Sequence, residues 1–258
     1  MLQYLGHLQY KETVKIRGAK MKEKKTILVA MRYCPQLIEI TEVLKRCKYN
    51  VLTANMAKAV MAVFERNHPN MLLSALDLPG QDGLAMIRNI RKTYETPVIL
   101  FSQSWDEAAI VDVLDAGAND VFTLPFGRAE HLARIRAALR CGCSGQKGIP
   151  GGVFATGGLM IDYDRRLVTV NGRAVHLTPI EFRIVTLLTR NVGKVLTHDQ
   201  IIADIWGPYN SDNLVLRVNM ANIRRKIEAN PAEPQYIVTE VGVGYRCQGE
   251  PVYGKEIY

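Results

Sequence analysis

The stretch PVILFSQSWDEAAIVDVLDAGANDVFTL (97–124) decides the fold of the first half of the chain. It holds two short apolar runs, 97–101 and 120–123, and an amphipathic segment between them, 107–116. An apolar strand, a helix and a second apolar strand in this order predict two parallel strands joined by a crossover helix.

The same alternation of strand and helix extends on both sides of this stretch. Further strands are predicted at 26–31, 51–54 and 71–76, and further helices at 35–46, 56–67, 83–92 and 128–140. Five repeats of this unit predict an α/β domain over residues 24–140, with a parallel sheet covered by helices on both faces. Doubly wound domains bind ligands at the carboxyl ends of their strands, so a site is expected there.

Three phrases of this half resemble the flavodoxin-like receiver domain of response regulators: LDLPGQDG (76–83), PVILFSQS (97–104) and DAGANDVFTLPFGRAEHLARIRAALR (115–140). The resemblance implies a phosphorylation site with an acidic pair that holds Mg²⁺, an aspartate acceptor and a lysine. Mg²⁺ needs hard oxygen ligands to neutralise a transferring phosphoryl group. The acidic pair aligns with Met31 and Arg32, the acceptor with Ala75 and the lysine with Leu124, whereas Ser102 retains a hydroxyl position of the family. We therefore expect no phosphorylation of the usual kind.

Several interpretations of this altered pocket stay open. Asp77 could act as a displaced acceptor, but we prefer a polar loop position for Asp77 and a helix-capping position for Asp82. Arg32 either forms an ion pair with one of these acids, in place of the metal, or is solvated. The apolar replacements suit either a small hydrophobic effector or a filled, rigid core, and we prefer the core. Val121 stands where an aromatic residue usually partners the hydroxyl.

The resemblance also implies a dimer interface formed by the fourth helix, the fifth strand and the fifth helix. Asp120, Glu130 and Arg134 match its charged positions, whereas Ile110 replaces a basic residue. Surface ion pairs contribute only about 0–1 kcal/mol each. We therefore still expect a constitutive homodimer through the receiver.

Local signals in residues 153–248 predict a second, α+β domain. Short strands are expected at 153–155, 159–162, 167–170 and 174–176, and Asn171-Gly172 between the last two predicts a tight hairpin. Two capping boxes, Thr178 to Glu181 and Thr197 to Gln200, each predict the start of a helix.

A third helix is predicted over 213–229, followed by a β-hairpin of strands 236–240 and 245–248 around a glycine-rich tip. One stripe of the helix is apolar, with Leu216, Met220, Ile223 and Ile227 at helical spacing. The opposite face carries amide and guanidinium groups, which suit the base edges of the DNA major groove.

The phrases VHLTPIEFR, GKVLTHDQIIADIWGP and VTEVGVGYRC resemble the winged helix-turn-helix output domain of the OmpR/PhoB family. The resemblance implies that the helix over 213–229 reads double-stranded DNA at tandem direct repeats. It also implies that a loop between Trp206 and Asn213 contacts RNA polymerase. Val241 replaces an arginine that some relatives insert into the minor groove. The expected DNA-binding residues are Arg217, Val218, Asn219, Asn222, Arg224, Arg225, Thr239 and Arg246.

Charge is unevenly distributed along the 258 residues. The net charge is +8, and residues 1–25 contribute +5 of it, with seven basic and two acidic side chains. The total is therefore weak support for DNA binding, which has to be argued from local placement. We expect a basic, disordered leader (1–23) with Met21 as an alternative start, a glycine-rich linker (141–152) and a tail (249–258).

Several classes of protein and site are not expected. No apolar run is long enough to span a membrane and no signal peptide is evident, which predicts a cytoplasmic protein. The five cysteines lack zinc-ligand spacing, so we expect reduced thiols, no metal and no cofactor. Cys141 and Cys143 suit exposed linker thiols better than a redox switch.

The combined features favour a DNA-binding transcription regulator that is not an enzyme. Two alternatives from other classes stay open. One is a phosphotransfer or phosphohydrolase domain that uses Asp77 and Asp82, against which the missing acidic pair argues. The other is an effector-sensing or protein-docking module that controls the DNA-binding half.

Overall fold

The computed structural model describes residues 24–80, 82–125, 128–141, 152–208 and 213–249. Several expectations fall outside these ranges: the leader and its alternative start, most of the linker with Cys143, the polymerase loop at 209–212, and nearly all of the tail. The described residues form a receiver-like domain followed by a winged-helix domain.

The first domain alternates strand and helix five times, as predicted. Its sheet is entirely parallel, in the order β2-β1-β3-β4-β5. The elements are β1 (Thr26–Ala30), α1 (Pro35–Arg46), β2 (Asn50–Ala54), α2 (Ala57–Asn67), β3 (Met71–Ala75), α3 (Gly83–Arg91), β4 (Val98–Ser102), α4 (Glu107–Asp115), β5 (Asp120–Thr123) and α5 (Arg128–Cys141).

The central strands are apolar on both faces because helices cover both sides of the sheet. Leu28, Leu72 and Leu100 pack into one apolar cluster, and their neighbours Ile27 and Ile99 pack into a second on the other face. A strand that is buried on both faces reads as a continuous apolar run rather than an alternating one. Because β1, β3 and β4 are parallel neighbours, their carboxyl ends meet at one edge of the sheet.

The described residues of the second domain form two antiparallel sheets and three helices. The sheet orders are β6-β7-β8-β9 and β10-β12-β11. The elements are β6 (Val153–Thr156), β7 (Leu159–Asp162), β8 (Leu167–Val170), β9 (Arg173–Val175), α6 (Pro179–Arg190), β10 (Val195–Thr197), α7 (His198–Trp206), α8 (Asn213–Ile227), β11 (Ile237–Glu240) and β12 (Gly244–Cys247).

The predicted turn and both predicted capping boxes are confirmed. Asn171 and Gly172 have positive φ angles of 50° and 76° and join β8 to β9. At the start of α6, the Thr178 amide donates to Glu181 Oε2 at 2.6 Å, and the Thr178 hydroxyl accepts from the Glu181 amide at 3.4 Å. Thr197 and Gln200 form the equivalent pair before α7. Local chemistry thus sets where both helices begin.

Strand β10 was not predicted from the sequence. It has three residues, too few for an alternating pattern, and it forms only by pairing with β12, where Leu196 lies opposite Tyr245. The backbones approach so closely that a Cβ on Gly244 would collide with the Leu196 carbonyl. This pairing joins the hairpin of β11 and β12, the wing, to the body of the domain.

The two domains pack against each other. Helix α4 contacts α8, and α5 contacts α6 and α7. We call this packing the closed arrangement. Apolar residues of both domains form one continuous cluster, which includes Val113 of α4, Trp206 of α7 and Val218 of α8. Within the described ranges, no helix has the length and apolar character that a membrane span requires.

Replacing Thr178 tests the capping box that begins α6. Thr178→Ala removes the hydroxyl acceptor, so we expect the free energy of unfolding to fall by about 0.5–2 kcal/mol in urea denaturation. Thr178→Ser keeps the hydroxyl and serves as the control. An equal loss in both variants would assign the effect to packing of the threonine methyl group and contradict the cap.

Candidate nucleic-acid interface and receiver pocket

Helix α8 is anchored in its own domain by its apolar stripe. Leu216, Met220, Ile223 and Ile227 are all essentially inaccessible to solvent. The stripe faces α6 and α7, and Lys226 adds a salt bridge from its Nζ to Glu181 Oε2 at 2.6 Å. The predicted apolar face of α8 is therefore confirmed as the face that packs inside the domain.

The opposite face, which was expected to read DNA, is partly covered, while Arg217 and Arg225 stay exposed. Val218, Asn219 and Asn222 are only 8%, 3% and 7% exposed. Helix α4 of the receiver lies against α8, and its half-buried Ile110 and Val111 belong to the apolar cluster that includes Val218. In the closed arrangement these three side chains are therefore inaccessible to a DNA base.

An ion pair accompanies this helix contact. Arg225 of α8 points its guanidinium at both carboxylate oxygens of Asp115, at the end of α4, with both distances 3.2 Å. Two other predicted DNA-binding residues of α8 differ in their surroundings. Arg217 is exposed to solvent. The side-chain amide of Asn219 donates a hydrogen bond to the Val215 carbonyl, one turn earlier in the same helix, at 2.8 Å.

The two helices in contact carry opposite charge. Residues 93–127 contain no lysine or arginine, and the start and body of α4 hold four acids: Asp106, Glu107, Asp112 and Asp115. Helix α8 contains three arginines and a lysine and no acid. An acidic helix thus occupies the position where a basic recognition helix would meet the phosphates of DNA.

Arg224 and Thr239, both predicted to contact DNA, bond to each other. The Arg224 guanidinium donates to the Ile237 carbonyl at 2.8 Å and to the Thr239 hydroxyl at 2.7 Å. Arg246 is similarly paired with Glu240 across the wing, at 2.7 Å. In this structure these residues fix the wing relative to α8, which differs from the free, base-reading role expected for Arg224.

Glu228, directly after α8, is a functional residue that the sequence analysis missed. Its carboxylate is buried and accepts hydrogen bonds from the backbone amides of residues 235, 236 and 237, at 2.8–3.2 Å. Nothing in its sequence context distinguishes it from a solvated helix-end acid. It ties the end of α8 to the first strand of the wing.

The wing presents an apolar tip and a buried end. Val241 is 91% exposed, and Val243 is also exposed, at the turn between β11 and β12. At the other end of the hairpin, burial raises the pKa of the Cys247 thiol to about 11, with a smaller contribution from Glu228. This thiol therefore stays protonated at neutral pH.

The receiver pocket brings the five predicted site residues together. A cavity of about 490 Å³ at the carboxyl edge of the sheet is lined by Met31, Arg32, Ala75, Ser102 and Leu124. Cys34, Gln36, Asp77, Phe101, Gln103 and Ser104 complete its wall. Met31, Ala75 and Phe101 are buried and form an apolar floor where the resemblance to receivers implies carboxylates.

Asp77 and Asp82 have different roles at this edge. Arg32 pairs with Asp77 at 3.5 Å, and the two side chains are 65% and 78% exposed, so the pair is both formed and solvated. Asp82 caps α3 by accepting from the Leu84 amide at 3.2 Å, as predicted. The described part of the chain contains no group of three or more histidine, cysteine, aspartate or glutamate side chains placed to hold a metal.

The residues predicted at a dimer interface bond to one another in the receiver. Arg134 Nε donates to Asp120 at 2.9 Å, and Arg134 Nη1 pairs with Glu130 at 3.2 Å. Burial lowers the pKa of Arg134, but the charge and hydrogen bond of Asp120 outweigh burial, so the net pKa is raised.

The winged-helix domain lies over part of this ion-pair network. Trp206 lines a small cavity with Asp120 and Arg134, and its indole donates to the Asn119 carbonyl at 3.4 Å. In the closed arrangement, part of the face expected to bind a second receiver is therefore covered by the chain's own α7. The dimer role of these residues stays a prediction.

Comparisons with known proteins agree with the fold and the two-domain plan. Residues 35–136 match the family model for the response regulator receiver domain, and residues 172–247 match that for the C-terminal domain of transcriptional regulatory proteins.

Similar proteins include two curated regulators and a solved structure. Transcriptional regulatory protein KdpE of Mycobacterium tuberculosis is 35% identical over 78% of this chain and 88% of the relative. Sensory transduction protein RegX3 of Mycobacterium leprae is 39% identical over 74% of this chain and 96% of the relative. A solved structure of a RitR mutant aligns with a TM-score of 0.69 at 20% identity, over 88% of this chain and all of RitR.

Replacing Glu228 tests its role in holding the wing. Glu228→Gln loses one of the two acceptor oxygens, so we expect a loss of about 1–3 kcal/mol in the free energy of unfolding of the winged-helix domain. DNA affinity should fall by a similar factor for all binding sequences, because no base contact is removed. Urea unfolding and fluorescence anisotropy measure the two quantities.

Glu233→Gln is the matched control, because Glu233 is exposed and, among the described residues, its carboxylate accepts only from the Asn230 side chain, at 3.3 Å. Unchanged stability in Glu228→Gln would contradict the assignment.

Proposed function

The chain belongs to the OmpR/PhoB-type response regulators, and from that premise we propose a transcription regulator that works without phosphorylation of its receiver and binds DNA only after its two domains separate. The observation that carries the proposal is the partly covered face of α8: Val218 and Asn222, two of the residues suited to read bases, are buried, and α4 of the receiver contacts this helix. A regulator of this kind is silent in the closed arrangement.

The chemistry of the receiver pocket supports independence from an aspartyl phosphate. An acceptor carboxylate is needed to attack the phosphoryl donor, and Ala75 stands at that position. Mg²⁺ needs oxygen ligands, whereas Met31 and Arg32 offer a thioether and a cation. The electrostatic role of the lysine is also lost, because Leu124 carries no charge. Four separate losses argue against any single compensating group.

The proposed DNA-bound state follows from α8 and the wing. With α4 removed, Val218, Asn222 and Arg225 would face the major groove, where Arg suits guanine, Asn suits adenine and a valine methyl suits thymine. Arg224, Thr239 and Glu228 would hold the wing beside the helix. We propose tandem direct repeats as the operator, bound by a homodimer formed through the receiver.

Release of the closed arrangement would expose two surfaces together. The α4 contact covers the recognition helix, and Trp206 covers part of the Asp120–Arg134 face. Opening would therefore free both the DNA-reading residues and the face proposed for receiver dimerisation. The contact between α4 and α8 also favours the alternative raised from the sequence, in which an effector or partner protein controls DNA binding through the receiver.

The targets and the transcriptional partner are finer proposals. The likeness to KdpE supports control of potassium uptake as the regulated process. The loop between Trp206 and Asn213 is proposed to contact RNA polymerase, because family resemblance places the activation loop there.

Selection of genomic DNA fragments by the purified, unmodified protein tests this function. We expect enrichment of a direct repeat, unchanged when acetyl phosphate and Mg²⁺ are added, and no gain of a phosphoryl group in the intact mass. Phosphorylation, or enrichment only with the phosphodonor, would refute independence from phosphate.

A charge reversal at Asp115 tests the closed arrangement. Asp115→Lys replaces an ion pair with Arg225 by a like-charge contact, so the affinity for the selected DNA should rise by about 3- to 10-fold. Asp112→Lys, on the same helix and exposed, adds the same positive charge and is the matched control. Fluorescence anisotropy at constant salt measures both variants; equal affinities in the two would contradict masking of α8 by α4.

A further inference from the structure

We propose that the receiver pocket binds an apolar α-amino acid, with its side chain on the buried floor and its zwitterionic head between Arg32 and Asp77. The inference rests on the proposed function only in assuming that phosphoryl chemistry no longer occupies this pocket. It assigns the cavity a ligand of defined chemistry.

The size and lining of the cavity suit a small amphipathic molecule. Its volume of about 490 Å³ lies within the range of small-molecule sites. Met31, Ala75 and Phe101 give the floor an apolar character, and the half-buried Leu124 extends it. A charged or strongly hydrated ligand body would lose its water against this floor without gaining a hydrogen bond.

The two charges at the mouth select the head group. The Arg32 guanidinium and the Asp77 carboxylate are 3.5 Å apart and largely exposed, so their own attraction is weak and can be exchanged. A simple carboxylate on Arg32 would lie close to the carboxylate of Asp77, and a simple amine on Asp77 would lie close to the guanidinium. A molecule that carries ammonium and carboxylate on one carbon can pair with both.

Further polar groups are available around the head. Within the described part of the chain, the side chains of Ser102, Gln103 and Ser104 make no hydrogen bond, although they line the cavity. Hydroxyl and amide groups can both donate and accept, so they can serve either end of a zwitterion.

The same three residues connect the pocket to α4. Ser102 ends β4, and Gln103 and Ser104 follow it in the segment before α4. The next residue, Trp105, donates its indole to the Phe122 carbonyl of β5 at 2.7 Å. Helix α4 then runs to Asp115, the partner of Arg225 in α8. A ligand held by this segment therefore lies one element away from the covered recognition helix.

Calorimetry and thermal unfolding of the full chain test the site, with L-phenylalanine and L-leucine as probes. We expect a Kd of about 1 mM or tighter and a rise in Tm of about 2–5 °C at tenfold excess over Kd. Hydrocinnamate, which lacks the ammonium group, phenethylamine, which lacks the carboxylate, and glycine, which lacks the apolar group, should each bind at least about tenfold more weakly.

Arg32→Gln and Asp77→Asn should each weaken binding of L-phenylalanine by about tenfold. Arg46→Gln is the matched control, because Arg46 is an exposed arginine whose ion pair with Glu42 lies on α1 and outside the pocket. All three positions are exposed, so the variants should fold. Absence of binding at about 10 mM, equal binding of hydrocinnamate, or full affinity in both pocket variants would overturn the proposal.

Failure of this site and failure of the proposed function give different results. Phosphorylation by acetyl phosphate refutes the function whether or not amino acids bind. Phosphate-independent DNA binding without any amino-acid binding leaves the function intact and removes only the ligand.

Discussion

The burial of helix α8 on two opposite faces is the constraint on which the rest of this structure depends. One face packs on α6 and α7 and is needed for the winged-helix domain to fold. The other packs on α4 of the receiver, although its amide and guanidinium groups suit DNA. A helix whose Val218 and Asn222 are buried cannot present these side chains to a groove, so the arrangement of the two domains determines whether they can contact DNA.

The forces that hold the closed arrangement differ in strength and in solvent dependence. Apolar burial around Trp206 and Val218 contributes on the order of 25 cal/mol per Å² and is not weakened by ionic screening. The ion pair between Asp115 and Arg225 is partly exposed and contributes only about 0–1 kcal/mol. Salt weakens this pair, but it also weakens the phosphate contacts of DNA, and more steeply because they are more numerous. Raising the salt concentration therefore favours the closed arrangement over the DNA complex, even though salt weakens the Asp115–Arg225 pair of the closed arrangement.

Sequence patterns predicted those features that depend on neighbouring residues. The five strand-helix repeats, the Asn171-Gly172 turn and both capping boxes are local, and each appears where the pattern placed it. Strand β10 depends on pairing with β12, about 50 residues later in the chain, and the carboxylate of Glu228 depends on backbone amides across the following turn. No local sequence pattern marks either feature. The sequence also assigned Arg224 to DNA. Helical spacing shows which face of the helix a side chain occupies, but it does not show that Arg224 donates a hydrogen bond to the Ile237 carbonyl of the wing. Burial of Val218 was missed for the same reason, since periodicity describes one helix and the apolar cluster that Val218 joins includes Val113 of the other domain.

Helix α4 is the element through which the pocket and the recognition helix can influence each other. Its first residues follow the segment that lines the cavity, and its last residue pairs with Arg225. A ligand can shift the balance between closed and open arrangements only by its difference in affinity for the two. A change from 1% to 99% open would need a difference of about 10⁴-fold, which is more than a weakly held amino acid can supply. A tenfold difference changes an equilibrium by about 1.4 kcal/mol, which is comparable to the Asp115–Arg225 pair plus a small part of the apolar contact. A pocket of this kind therefore suits graded adjustment of DNA binding and does not open the two domains fully by itself.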